Sequence, residues 1–271
     1  MSFTIKSHHQ VGKHEYYISD YILNADVIIN MPKPKTHRKA GVTISLKNMI
    51  GINVRKEFLP HHSIGSSKDG GDEYKNRNFF KRIDSRLLDL INTSNARKQY
   101  FKMRLYKFLK KINQQIIKFD MDKYNEGSWY GNNTISKTIV DVNKIVLYAD
   151  KNGKMQSCQQ RKVLIVADML ISGEREGPVL PSRKEVGAIA VGEDAVSFDN
   201  VIATLMGMDV KKIPTLYQAN MSQYQIGNSS ECLIRSNNIN WDNKSINKIR
   251  YDDTWKFIPS SGWIGHIEIK H

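Results

Sequence analysis

The chain has 271 residues, 40% of them hydrophobic and 25% charged, enough to bury a sizeable core in one large domain or two small ones. Its longest apolar runs, such as VLIVADMLI from Val163, are too short to span a bilayer, the N-terminal stretch has no signal-peptide core, and Cys158 and Cys232 alone exclude a four-cysteine iron–sulphur or zinc site within the chain. A reducing, cytoplasmic setting is expected, and the net charge of +14 is concentrated, with 8 basic side chains and no acid in residues 96–119 against 18 of each sign in 120–271.

Residues 1–25 read as an irregular or hairpin lead-in, with His8, His9 and His14 as surface histidines. DVIINM, Asp26 to Met31, reads as a buried strand. Pro32 and Pro34 stop its ladder, because proline has no N–H to give and biases the residue before it toward extended geometry. The segment beyond these prolines reads as a loop at a strand end, where open α/β sheets place their ligands. The stretch from Asn30 to Asp72 holds His37, His61 and His62 together with Lys33, Lys35, Lys39, Lys47 and Lys56, a poor composition for a core.

AGVTISLKNMIGI has no clean period, so strand and short helix both fit it. Residues 77–94 place Phe80, Ile83, Leu87 and Ile91 along one helical face. In 96–119, Phe101, Leu105, Phe108, Ile112, Ile116 and Phe119 recur at helical spacing, opposite Arg97, Arg104, Lys107, Lys111 and Lys118. This basic amphipathic segment reads either as a surface helix or as a peripheral dock on anionic lipid or an acidic protein partner. No aromatic-rich basic groove or binding motif accompanies it, which argues against nucleic acid.

Gly127 and Gly131 break the pattern, and a helix runs from about Ile135 to Asp150, ended by Lys151-Asn152-Gly153. Val163 to Ala167 reads as a buried strand ending at Asp168, with a loop containing Glu174 and Glu176 after it. Val186 to Val191 reads as a further strand, leading to a helix that ends near Gly207 with Asp194 where an N-cap is wanted. Short polar strand-like pieces fill the chain from about Gln225. The expected fold is α/β, a mixed sheet flanked by helices, with residues 1–271 as a single domain and 95–130 as a basic helical insertion.

INMPKPKTHRKAGVTISLKNMIGI closely resembles the signature of the bacterial and archaeal domain-of-unknown-function family 362. GSWYGNNT with DVNKIVLYAD, ADMLISGEREGP, and GEDAVSFDNVIATLMGMD add to the resemblance, which covers most of the chain from Ala25 to about Asp209. Some members of that family carry ferredoxin segments and others occur with polysaccharide biosynthesis genes; without ferredoxin cysteines, this chain is similar to the second kind. After GNNT the family's Trp-Arg pair is replaced by Ser136-Lys137, and the start at Met1 implies that an upstream part of the family domain is shortened or absent. More distantly, the spacing of ten from His37 to Lys47 and fifteen from Lys47 to His62, with Gly41 between the first two, is similar to the nickel-pincer lactate racemase family. There the lysine tethers the cofactor, the last histidine ligates nickel and the first moves a proton, although Ser45-Leu46 stand here in place of a double glycine.

The residues carry a reading of their own. Lys33, Lys35, Arg38 and Lys39 make an electropositive mouth suited to carboxylate or phosphate, or else a solvated basic loop. Neighbouring cations would keep His37 neutral and able to accept a proton. Lys47, among Ile44, Leu46, Met49 and Ile50, would hold an anion, act as a depressed-pKa amine, or merely snorkel, and Asn48 beside it offers an amide. His61 and His62 are candidate metal or substrate ligands, with Asp69, Asp72 and Glu73 the nearest carboxylates in sequence. Asp168, Glu176 and Asp194 are candidate substrate-binding groups at strand ends, and no P-loop, dinucleotide fingerprint or nucleophile elbow is present. Two functions fit. One is an enzyme acting on an anionic small molecule, a carboxylated or phosphorylated intermediate of polysaccharide biosynthesis for instance, with His37, Lys47 and His62 as catalytic groups. The other is a non-catalytic binding or assembly protein docking through the basic helix. Metal and cofactor are left open by the sequence.

Overall fold

A computed structural model of the chain describes residues 7–55, 58–92, 102–104, 106, 124–222, 224–227 and 232–270. The expected mixed sheet is present. Strand β3 (Val27–Asn30) runs parallel to β6 (Lys162–Glu176), which also pairs in parallel with β4 (Lys35–His37) and antiparallel with β7 (Leu180–Gly192), while β4 pairs antiparallel with β5 (Gly41–Thr43). Two short hairpins flank it, β1 (His9–Gln10) with β2 (Lys13–His14) and β8 (Leu233–Ile234) with β9 (Lys244–Ser245). The helices are α1 (Asp20–Asn24), α2 (Ser45–Asn48), α3 (Phe79–Asn92), α4 (Thr134–Tyr148), α5 (Ala195–Leu205) and α6 (Pro214–Asn220).

Alternation along the strands sends Ile28, Ile165, Ala167 and Met169 into one core with Ile135, Ile139, Val142 and Val146 of α4 and Ile202 of α5. The other face of β3, β6 and β7 presents Val27, Ile29, Leu170, Ile189 and Val191 as exposed side chains. Among the described residues, no helix is long and apolar enough to cross a membrane.

Several expectations change in detail. β6 does not end at Asp168 but continues through Glu176, because the glycine-containing segment pairs on with Leu180–Arg183 and the absent side chain of Gly173 makes room for Pro181, whose Cβ would lie 2.8 Å from an added Cβ. AGVTISLKNMIGI resolves into β5, α2 and a 3-10 turn, Met49–Ile52. On α3, Ile83 stays exposed while Lys81 and Ser85 are buried, because Lys81 Nζ donates to Tyr124 O (3.1 Å) and Ser85 Oγ to Glu73 Oε1 (2.5 Å). His9 is buried rather than at the surface, its Nε2 bonded to Phe58 O at 2.7 Å. Asp194 does cap α5, its Oδ1 accepting from Ser197 N at 2.8 Å. The basic segment 96–119 lies outside the described residues apart from Lys102–Arg104 and Tyr106.

The C-terminal segment closes over the loop between β4 and β5. Trp263 Nε1 donates to Arg38 O at 2.7 Å, and both Trp263 and Ile267 are buried. Gly41, at φ +78°, lies under them, and an added Cβ would sit 2.7 Å from Ile267 Cδ1 and 3.1 Å from the Trp263 ring. Gly12 has nearly the same φ, +79°, with nothing within 4 Å of an added Cβ. Gly12→Ala should therefore cost only the left-handed strain, about 1–2 kcal/mol, and Gly41→Ala a further 1–3 kcal/mol or so of overpacking. Urea unfolding of the two variants checks this; equal losses would contradict the clamp.

Candidate functional site

Three local devices bring the site residues together. The first is the turn after Pro34. Register places Lys35 opposite Thr43 and His37 opposite Gly41 in the β4–β5 ladder, so Lys35, His37 and Thr43 project from one face of that hairpin. His37 Nδ1 accepts from the backbone N–H of both Lys39 (3.0 Å) and Ala40 (3.1 Å). With Nδ1 committed as an acceptor, the ring proton belongs on Nε2. His37 thus offers a hydrogen-bond donor and not the proton acceptor that its sequence neighbours suggest.

The second device is a buried carboxylate. Asp199 of α5 accepts from Ser45 N (2.9 Å), Ser45 Oγ (2.5 Å) and Leu46 N (3.1 Å), satisfying the first amides of α2. That turn carries Lys47 and Asn48. Asn48 Nδ2 donates to Asn30 Oδ1 (2.8 Å), and Asn30 Nδ2 to Ser45 O (2.9 Å), so the end of β3 is tied to the same turn. Burial pushes the Asp199 carboxyl up to about 7, against the hydrogen bonds from Ser45 and Leu46.

The third device holds the two histidines after Pro60. Asp72 accepts from Ser63 N (2.5 Å), Asn133 N (3.0 Å) and Thr134 N (2.7 Å), joining their loop to the start of α4. Asn132 Nδ2 donates to His61 O (2.9 Å), and Thr138 Oγ1 to Pro60 O (2.9 Å). The GSWYGNNT motif is therefore a holder for His61 and His62. Asp72 is fully engaged in it, and among the described residues no three His, Cys, Asp or Glu side chains group as a metal site requires.

The two adjacent histidines separate in role. His61 Nδ1 lies 2.8 Å from Leu59 O, which can only accept, so His61 carries its proton on Nδ1 and leaves the Nε2 lone pair free. His62 Nδ1 sits 3.4 Å from Lys39 Nζ. Burial, then Lys47, His61, Lys39 and Lys35, push His37 down to about 2. Burial, then Lys39 and, more weakly, Lys47, push His61 down to about 4. For His62 the fall is to about 3, from burial and then Lys39. The Lys47 charge contributes to the fall at both His37 and His61.

Lys47 is half-buried, and its ammonium has no hydrogen-bond or ion-pair partner among the described residues. Burial, then Lys35 and Lys39, bring its pKa down to about 8. Lys35 Nζ donates only to Lys33 O (2.9 Å). The expected carboxylates stand elsewhere. Asp168 pairs with Lys33 (2.7 Å), both about half exposed, and Glu176 faces Arg38 (3.6 Å) while accepting from Ser261 N (2.8 Å). The carboxylates that do reach this region, Glu126, Glu73 and Asp72, act on Lys39. Thr43 was not singled out by sequence, yet its buried Oγ1 has no hydrogen-bond partner among the described residues. Asp199 was missed too, although a carboxylate on the apolar stripe of a helix is a readable signal.

A model described as a domain of unknown function (DUF362) matches residues 3–204. The chain belongs to this family. No curated protein and no solved structure matches it, so the spacing similarity to lactate racemases stands on the sequence alone. The DUF362 match contains His37, Lys47, His61 and Asp199, whereas the clamping Trp263 and Ile267 lie beyond it. A cavity of about 1400 Å³ in this DUF362 chain runs along β7 between α5 and the β8 region and is lined by none of these residues. Size there is not matched by a cluster of shifted titratable groups, and the His/Lys cluster is the better candidate.

The histidines make acid sensitivity calculable in sign. Their folded pKa values lie below the ordinary 6.5, so the unfolded chain binds more protons as pH falls beneath 6.5. The stability they contribute is complete above pH 6.5 and is lost as pH falls through about 4 and below. Asp199, whose pKa is raised, works in the opposite sense but is one group against three. The urea midpoint should drop between pH 7 and pH 4.5, and His61→Gln should shrink that drop. An identical drop in the variant would contradict the buried neutral ring.

Proposed function

We propose that the cleft binds a carboxylated or phosphorylated small molecule and moves a proton on it. The observation that carries this reading is the Lys47 ammonium, desolvated and unpaired, beside two neutral imidazoles of opposite tautomer. A cation held from water without a counter-charge is costly unless an anion completes it. Lys47 holds the anionic group. His37 Nε2–H donates to an oxygen on which charge develops, as a neutral imidazole can without titrating. His61 Nε2, the free lone pair, serves as base.

The His61 pKa of about 4 is low for that task, but part of the depression comes from Lys39 and Lys47. An anion that neutralises these lysines raises the ring toward the working range, so binding and base activation are coupled. A sugar acid or sugar phosphate of polysaccharide biosynthesis has the required charge and an abstractable proton, and the resemblance of the sequence to family members encoded beside such genes supports that class.

Thermal-shift screening against hydroxy acids, sugar acids and sugar phosphates tests the reading. Wild-type protein should be stabilised by at least one class. Lys47→Ala should lose the shift, and Lys47→Arg should recover part of it, since arginine keeps the charge. Undiminished binding by Lys47→Ala would overturn the assignment.

A further inference from the structure

The Lys35 charge contributes to the lowered pKa of Lys47, and neither lysine has a carboxylate partner among the described residues. Lys47 is the amine used above. Lys35 adds a second positive charge on the same side, on the strand that also bears His37. Directly opposite Lys35 in the ladder stands Thr43, with side chains on one face. Thr43 is buried, 7% exposed, and its Oγ1 has no hydrogen-bond partner among the described residues.

An orphaned buried hydroxyl is destabilising, and native structures ordinarily satisfy such groups. Thr43 cannot be satisfied by turning to the other side of the hairpin, because its register fixes its face. Its natural partner is an oxygen of a ligand bound on the face that Thr43 shares with Lys35.

Resting on the function proposed above, we infer that the anion held by Lys35, Lys47 and Thr43 is the dianionic group of a phosphate monoester. A carboxylate brings one charge and two oxygens in a plane. A phosphate monoester brings about −1.5 to −2 charges at pH 7 and three acceptor oxygens in a tripod. Two cations and a hydroxyl donor match the second inventory in both charge and number. Lysines suit it as point charges with rotatable donors. The reacting carbon then belongs to the remainder of the molecule, facing His37 and His61.

Isothermal titration calorimetry at pH 7.5 with glucose 6-phosphate, methyl phosphate, inorganic phosphate and glucuronate tests the inference. At least one phosphate should bind about tenfold or more tightly than glucuronate, the difference expected for one added charge-assisted contact of about 1.4 kcal/mol. Thr43→Val, nearly equal in shape, should weaken phosphate binding about tenfold and leave glucuronate unchanged. If that variant does not fold, judged by circular dichroism, Lys35→Gln carries the same comparison. Equal or tighter binding of glucuronate would overturn the dianion while leaving an anion cleft intact. Binding of no phosphate, or of phosphate that is indifferent to both substitutions, would overturn it as well.

Discussion

Positive charge withheld from water, with carboxylates reaching Lys39 but pairing with neither Lys35 nor Lys47 among the described residues, is the constraint on which this site depends. Lys35, Lys39 and Lys47 share one neighbourhood, and burial is the largest influence on the pKa of each. The three histidines beside them are neutral as a consequence, because a further charge there would be both desolvated and repelled. Neutrality then lets backbone hydrogen bonds choose the tautomer. Two amides choose it for His37 and one carbonyl for His61, in opposite senses.

Such an arrangement does not hold itself together, and the fold surrounds it with acceptors used structurally. Asp199 stitches α5 to the turn bearing Lys47 through three hydrogen bonds, each contributing about 1.5–3 kcal/mol when the acceptor is charged. Asp72 draws the loop bearing His61 onto the start of α4. Glu174, at the far end of β6, accepts from Ile258 N and positions the C-terminal segment that reaches Trp263. The carboxylates that could have neutralised the cleft are thereby spent on backbone amides, and its positive field is left for a ligand.

Much of the frame was legible in the sequence. The apolar run before Pro32 is β3, the stripe Ile135, Ile139, Val142 and Val146 is α4, and Asp194 caps α5, since periodicity, proline and cap chemistry are local signals. The clustered His and Lys between Asn30 and Asp72 are a local signal of the same kind. Partnership across long separations was not legible. Ser45 with Asp199 and Asn133 with Asp72 are pairings that no spacing rule encodes. The tautomers of His37 and His61 rest on backbone contacts that spacing alone does not reveal. Asp168 looked like a strand end because Gly173 lies ahead of it, yet that glycine admits Pro181 and lets the strand continue.

Everything proposed for the cleft depends on His37 and His61 being neutral rings of opposite tautomer. Long-range proton–nitrogen correlation of the imidazoles, traced from pH 8 to pH 5, measures this directly. The expected result is a proton on Nε2 of His37 and on Nδ1 of His61, with neither ring titrating in that range, since burial holds them near 2 and 4. Titration of either ring near 6.5, or protons on the same nitrogen in both, would contradict it.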